Sequence, residues 1–146
     1  MNRWDLKPLD LQGAVGSVQL LKFEEIHKLR RENKNKIQSI VEKISGVRVV
    51  REKPESETSW FGVPIICDDS KLKRSLVSFL EKNKIQTRNY FAGNILLHPG
   101  YSHLDDASKY PKANQVLNKV FFLGCSPTIN DKMIGYIDKV ITKFEI

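Results

Sequence analysis

The sequence predicts an α+β chain: a long N-terminal helical arm, then a small two-layer domain whose largely antiparallel sheet carries helices on one face. Three observations lead there. Short apolar runs, Val47–Val50 (VRVV), Ser59–Cys67 (SWFGVPIIC) and Val120–Gly124 (VFFLG), have the length and β-branched or aromatic composition of strands. Two other stretches place apolar residues at helical spacing: Leu72, Leu76, Phe79 and Leu80, and later Ile134, Ile137, Ile141 and Phe144. Everything before Gly46 reads as helix, with no strand signal.

The elements follow in order. Pro8 suits the first turn of a helix, where its missing N–H is not needed. One helix is predicted from there to about Ser45. Leu11, Ala14, Val15, Val18 and Leu21 mark its first apolar strip, and Ile37, Ile40, Val41 and Ile44 its second. Gly13 and Gly16 weaken the first half and permit close backbone approach. The middle, Lys28–Lys36, is almost wholly polar and is expected to cross open solvent. Gly46 ends the helix. The charged loop after Val50 joins two hairpin strands, and Pro64 implies an edge position or an irregularity. Asp68, Asp69 and Ser70 offer caps for the helix that follows. A short strand is expected near Ile85–Arg88, a brief helix from Pro111, and a capping box at Thr128 and Asp131. Residues 1–45 are assigned to an arm reaching a part of the protein outside this chain, and residues 46–146 to the domain.

Composition narrows the function. The chain has 146 residues, 40% of them hydrophobic, enough for one core. No apolar run approaches a membrane span, and the N-terminus lacks a signal-peptide core. Cys67 and Cys125 sit far apart in apolar settings, which points to buried free thiols and a cytoplasmic location. The net charge is +7, crowded at Lys28, Arg30, Arg31, Lys34 and Lys36. Interleaved glutamates and missing aromatics make this a solvated helix face, so no nucleic-acid partner is assigned.

The chemistry legible in the residues is sparse. His27 is read as exposed. His98 and His103, with Asp105 or Asp106, lie near enough in sequence for a metal, but the pattern is unspecific and no metal ligand is assigned. No phosphate loop, nucleophile elbow or CxxC is present, and no catalytic residue is assigned. The segment TRNYFAGNILLHPGY, Thr87–Tyr101, stands apart: too rich in Gly, Pro and Asn for a helix, and too specific in its polar residues for a plain connector.

Resemblance extends this reading. WDLKPLDLQGAVGSVQLLKFEEIHKLRREN is similar to the stretch that follows the cofactor-lysine region in the sugar-aminotransferase family of pyridoxal-phosphate enzymes. Leu6-Lys7, Gln12 to Gly16, Gln19-Leu20 and Arg30-Arg31 carry that likeness. SWFGVPI and IQTRNYFAGNILLHPGY resemble one branch, the NDP-4-keto-6-deoxyhexose 3-dehydratases, and KANQVLNKVFFLGCSPTINDKMIGYI the family's C-terminal strand and helix. The resemblance implies pyridoxal phosphate or pyridoxamine phosphate in the full-length protein, held by a large domain preceding this region. There the cofactor amine condenses with a 4-keto sugar and the C3 hydroxyl is eliminated. It implies a nucleotide-sugar (CDP-4-keto-6-deoxyhexose type) of deoxysugar or lipopolysaccharide biosynthesis as substrate. It also implies a homo-oligomer, or a separate large domain as partner. The chain alone is expected to hold no cofactor and to be inactive.

By the same resemblance, Thr87–Tyr101 closes over the nucleotide-sugar, with Arg88, Asn94 and His98 as substrate-binding residues lining one surface. Gly93 would let the backbone approach the ligand. Asp5 stands at the cofactor-binding position of the family's Asn, where a carboxylate faces a phosphate unfavourably. The Arg common after the Ala-Gly turn is absent; Leu97 and His98 stand there. Two other identities remain open: a non-catalytic binding or assembly module derived from the family, and a sugar aminotransferase fragment.

Overall fold

A computed structural model describes residues 9–145. Its elements are α1 (Asp10–Leu21), α2 (Phe23–Val41), β1 (Val47–Val49), β2 (Gly62–Cys67), α3 (Ser70–Lys82), β3 (Thr87–Asn89), α4 (Pro111–Lys119), β4 (Val120–Gly124) and α5 (Asp131–Ile141), with short 3-10 turns at Ile95–Leu97 and Ala107–Lys109. The order after Gly46 is the one expected from the sequence. The four strands form one sheet in the order β1-β2-β4-β3, antiparallel at every step. This is the α+β architecture read from the apolar runs.

Strand alternation decides what is buried. Val47, Val49, Val63, Ile65, Cys67, Phe121 and Leu123 point to one face and form the core with α2, α3 and α5. Ile37, Ile40, Val41 and Ile44, Leu76 and Leu80, and Ile137, Val140 and Ile141 supply the helical side. Arg48, Ile66, Pro64, Phe122 and Arg88 alternate to the other face. There, α4 lines a groove with Arg48, Ile66 and Val120.

Three local expectations are corrected, and the choice left open at Pro64 is decided. The single long helix is two, parted at Lys22, whose φ of −96° and ψ of −1° barely leave helical geometry. The polar middle of the arm does not cross open solvent. Asn33 is buried and donates to the carbonyls of Ser126 (2.8 Å) and Ile129 (3.1 Å), while Lys36 and Lys43 pair with Asp131 and Asp138 of α5. A polar helix face is satisfied here by neighbouring backbone, which no periodicity reveals. Pro64 lies in an inner strand. Its carbonyl accepts from Val50 N (3.1 Å), so its ring nitrogen faces β1 where the reciprocal bond would form, and β1 stops at Val49. Finally, α5 is capped by Asn130, whose side chain accepts from Met133 N (3.1 Å); Thr128 shares a hydrogen bond with Ser126 instead.

Of two expected devices, one holds and the other holds in part. Asp69 caps α3 by accepting from the backbone of Lys71 and Leu72, both at 2.8 Å. Gly46 keeps the expected left-handed turn, with a φ of +75°, but it does not end the helix: α2 stops at Val41 with Glu42 as its C-cap, and Gly46 turns the chain into β1 after an intervening turn. Among the described residues no helix is long and apolar enough to cross a membrane.

Candidate functional site

β3 places Arg88 opposite Phe122 of β4, on the sheet face away from the core. Thr87 turns the other way, and its N–H and hydroxyl donate to Glu81 at 2.5 and 2.8 Å. Arg88 is exposed, and among the described residues its guanidinium forms no hydrogen bond or ion pair. Its position on the outer face is the one the period-two pattern predicts.

Around it lies a group of aromatic side chains that the sequence reading did not single out. Phe61 packs on Phe122 with ring centroids 5.6 Å apart, Phe91 on Phe122 at 6.2 Å, and Tyr90 on Phe91 at 5.1 Å. Gly62 makes room, since a Cβ there would meet the Phe122 ring at 2.6 Å. Phe61 is 68% exposed and Phe91 69%. Phe91 also has a φ of +52°, a left-handed conformation costing a bulky L residue roughly 1–2 kcal/mol. The adjacent Trp60-Phe61 of SWFGVP and the FF pair of β4 were the available signal. Only strand order shows that they meet.

Asn94 does not line an open surface with Arg88. Asn94 is 3% exposed; its amide donates to Ala107 O (3.2 Å) and Asn114 Oδ1 (2.8 Å), and its carbonyl accepts from Leu96 N (3.1 Å). It ties the segment to α4 rather than facing outward. Gly93, at φ +63°, allows a close approach, but to α4: a Cβ would lie 2.6 Å from that of Leu117. His98 is exposed, with Nε2 3.3 Å from the Ala92 carbonyl. Leu96 is half-buried and Leu97 exposed, as a loop anchored by one of the two requires. Asp105 and Asp106 are engaged by Lys109 and Ser108, and among the described residues no group of three acids, histidines or cysteines could hold a metal ion. His27 is half-buried against Phe23, not exposed. Asp5 lies outside the described residues.

The Arg-Arg pair has a clear structural task. Arg30 donates to Trp60 O (2.8 Å); Arg31 donates to Glu52 (2.8 Å) and Thr58 O (3.3 Å). Thr58 N–H also donates to Glu52. The Arg31 contact and that backbone donor hold the Glu52 carboxyl down at about 2. Next to them Lys34 is buried, 4.8 Å from the Trp60 ring centroid, and bonded to Gln38. Together these contacts fix the loop leading into Phe61 and Gly62.

The comparisons identify the kin of this arrangement. The profile of the DegT/DnrJ/EryC1/StrS aminotransferase family matches residues 5–144. The chain belongs to that family. It is 32% identical to a dTDP-4-dehydro-2,6-dideoxy-D-glucose 3-dehydratase of Saccharopolyspora spinosa, over 97% of this chain and 31% of that protein. It is 31% identical to the lipopolysaccharide biosynthesis protein RfbH of Salmonella typhimurium, over 97% of this chain and 33% of that one. Its fold is similar to that of the E. coli GDP-4-keto-6-deoxy-D-mannose-3-dehydratase with bound hydrated PLP (TM-score 0.77, 23% identity, 97% of this chain and 37% of that one). A sugar aminotransferase described as putative, from Streptococcus pneumoniae, superposes with a TM-score of 0.80 at 20% identity, over 90% of this chain and 34% of that one. The chain thus spans about a third of the length of the curated relatives it matches.

The described residues do not themselves fit the cofactor these family members carry. A pyridoxal phosphate needs a phosphate cradle and a reactive amine in a cavity. The two buried amines are committed elsewhere: Lys34 as above, and Lys73 to Asn89 Oδ1 (3.1 Å) and the Leu117 carbonyl (2.7 Å). Burial lowers the pKa of both; Lys73 borders a cleft with Ser70 and Arg74, but its ammonium is held by Asn89 and the Leu117 carbonyl. No chemical step is derived through the cofactor from this chain.

Proposed function

We propose that this chain is the C-terminal part of a pyridoxamine-phosphate-dependent nucleotide-sugar 3-dehydratase, of the CDP-4-keto-6-deoxyhexose type. It would supply the connecting helix and the small domain that closes over substrate. The observation that carries this is Arg88: an exposed cation without a hydrogen bond or ion pair among the described residues, on the outer sheet face, at the position where the dehydratase-like Thr-Arg-x-x-x-Ala-Gly-Asn motif puts it. A guanidinium with a free fork suits a diphosphate. His98 stands exposed further along the same segment, and Asn94 holds the segment in shape. The cofactor and the proton-moving residue belong to a large domain outside this chain, as the one-third coverage of the relatives supports. The buried free thiols suit a reducing cytoplasm.

Complementation tests this. A relative truncated at the start of the matched region should regain dehydratase turnover when this chain is added. The chain alone should show neither a stoichiometric aldimine band nor turnover. Arg88→Gln should lower kcat/KM of the reconstituted enzyme by about tenfold or more, the worth of one charge-assisted contact. Association without restored turnover would favour the non-catalytic assembly module. Restoration of amino transfer alone would favour the aminotransferase.

A further inference from the structure

We propose that the aromatic slot made by Phe61, Phe91 and Phe122 is a subsite for the flat base of a nucleoside diphosphate whose phosphates reach Arg88. The proposal rests on the reading of this chain as part of a nucleotide-sugar enzyme and adds which side chains would hold which end of the ligand.

Three independent features converge on the slot. The first is exposure without burial elsewhere: Phe61 and Phe91 flank Phe122 and leave more than two-thirds of each residue open. Single exposed aromatics are ordinary, but a cluster sharing one sheet face marks a binding surface. The second is the backbone of Phe91, held at φ +52°. A bulky residue there is strained, and packing of a 69%-exposed ring does not offset the strain. A backbone that keeps this ring outward at a cost points to work done by the ring. The third is charge. Arg88 is the register partner of Phe122, so the two side chains leave the same face with Cβ atoms roughly 5 Å apart. Its guanidinium is unpaired among the described residues, so it is free for an anion.

The size of the slot selects the occupant. It encloses about 130 Å³ between Trp60, Phe61, Pro64, Tyr90, Phe91 and Phe122. Whole-ligand pockets run to roughly 300–1,000 Å³. A space this small suits one flat ring of a larger ligand. A nucleoside diphosphate presents such a ring at one end and an anion at the other, and every base has a π face to stack. Its far end would then point away from the sheet, toward whatever domain carries the chemistry.

Amide shift mapping of the chain in solution tests the subsite, with UDP, CDP, GDP and inorganic pyrophosphate as separate probes. The nucleotides should shift the amides of residues 60–63, 88–91 and 121–123 and bind on the order of tenfold more tightly than pyrophosphate. Pyrophosphate should shift the surroundings of Arg88 only. Phe91→Gly relaxes the positive φ, so it should stay folded, lose the nucleotide advantage and keep the pyrophosphate response. Arg88→Gln should lose the pyrophosphate response. Equal binding of nucleotides and pyrophosphate, or nucleotide shifts clustered elsewhere, would overturn the base subsite while leaving Arg88 as an anion contact. Silence of Arg88 toward every probe would overturn both the subsite and the reading on which it rests.

Discussion

At the scale of single residues, Glu52 and Asn94 make the sharpest predictions. The Glu52 carboxyl accepts from Arg31 and from the Thr58 backbone, and its pKa falls to about 2, against about 4.3 in an unfolded chain. The folded state therefore binds fewer protons than the unfolded state between those values. The stabilisation is complete above about pH 4.3 and is lost as pH falls toward 2. Melting temperature should drop over that window, and Glu52→Gln should flatten part of the drop while lowering stability at neutral pH. An identical acid limb in the variant would show that the ion pair does not couple to folding. Asn94 answers to a different measurement. Removing its amide orphans the Leu96 N–H and the Asn114 Oδ1 acceptor beneath the loop, while the Ala107 carbonyl keeps its bond from Asn114. Asn94→Ala should cost about 1–3 kcal/mol in urea denaturation and speed amide exchange across residues 94–110. Unchanged exchange would return Asn94 to the list of substrate contacts.

At the scale of elements, α1 and α2 behave differently although the sequence joins them. α1 buries no residue; Leu11, Val15, Val18 and Leu21 are exposed, and nothing lies within 4 Å of where a Cβ would stand on Gly13 or Gly16. A 12-residue helix with two glycines is marginal without a surface to pack on. α2 is fastened by its apolar face, by Asn33 and by the Lys36–Asp131 ion pair to α5, with a second pair, Lys43–Asp138, just beyond its end. Deleting residues 1–22 should therefore change unfolding stability by no more than about 0.5 kcal/mol, the usual effect of surface changes. The intact chain should self-associate or bind an apolar dye through α1, and Val15→Lys should reduce either. Sedimentation as a monomer at high concentration without dye binding would show the strip to be inert. Loss of folding on deletion would show that α1 packs on the domain in solution.

For the whole molecule, one core couples the sheet to α2, α3 and α5. Ile65 sits at its centre, fully buried between Val49 of β1 and Phe121 of β4. Ile65→Ala should cost about 2–5 kcal/mol, a large part of a domain's usual 5–15 kcal/mol. The melting temperature should fall by at least about 8 °C, with all spectroscopic probes moving together. A smaller shift, or helices melting apart from the sheet, would show two weakly coupled units.

The sequence by itself determined the element order, the strand VFFLG, the capped helix after Cys67 and the family, because each rests on local period, cap chemistry or contiguous motif. Arg88's outward direction was legible for the same reason: alternation in a strand is a local rule. Other features needed the tertiary structure. Pro64 reads as an edge residue or an irregularity, and only the fold decides for the second: its ring nitrogen faces the end of a short neighbouring strand, so an inner strand tolerates it. Lys28–Lys36 reads as solvated, yet Asn33 and Lys34 are buried because distant carbonyls and the Trp60 ring receive them. Asn94 reads as a ligand contact, yet a helix twenty residues on supplies its partner. The aromatic slot joins residues from three separated stretches, since β2, β4 and β3 lie side by side although they are not consecutive in the chain. Local patterns follow from sidedness and backbone preference, which neighbours in sequence set. Whether a polar group is satisfied, and which rings meet, depends on long-range pairing, which only the folded chain decides.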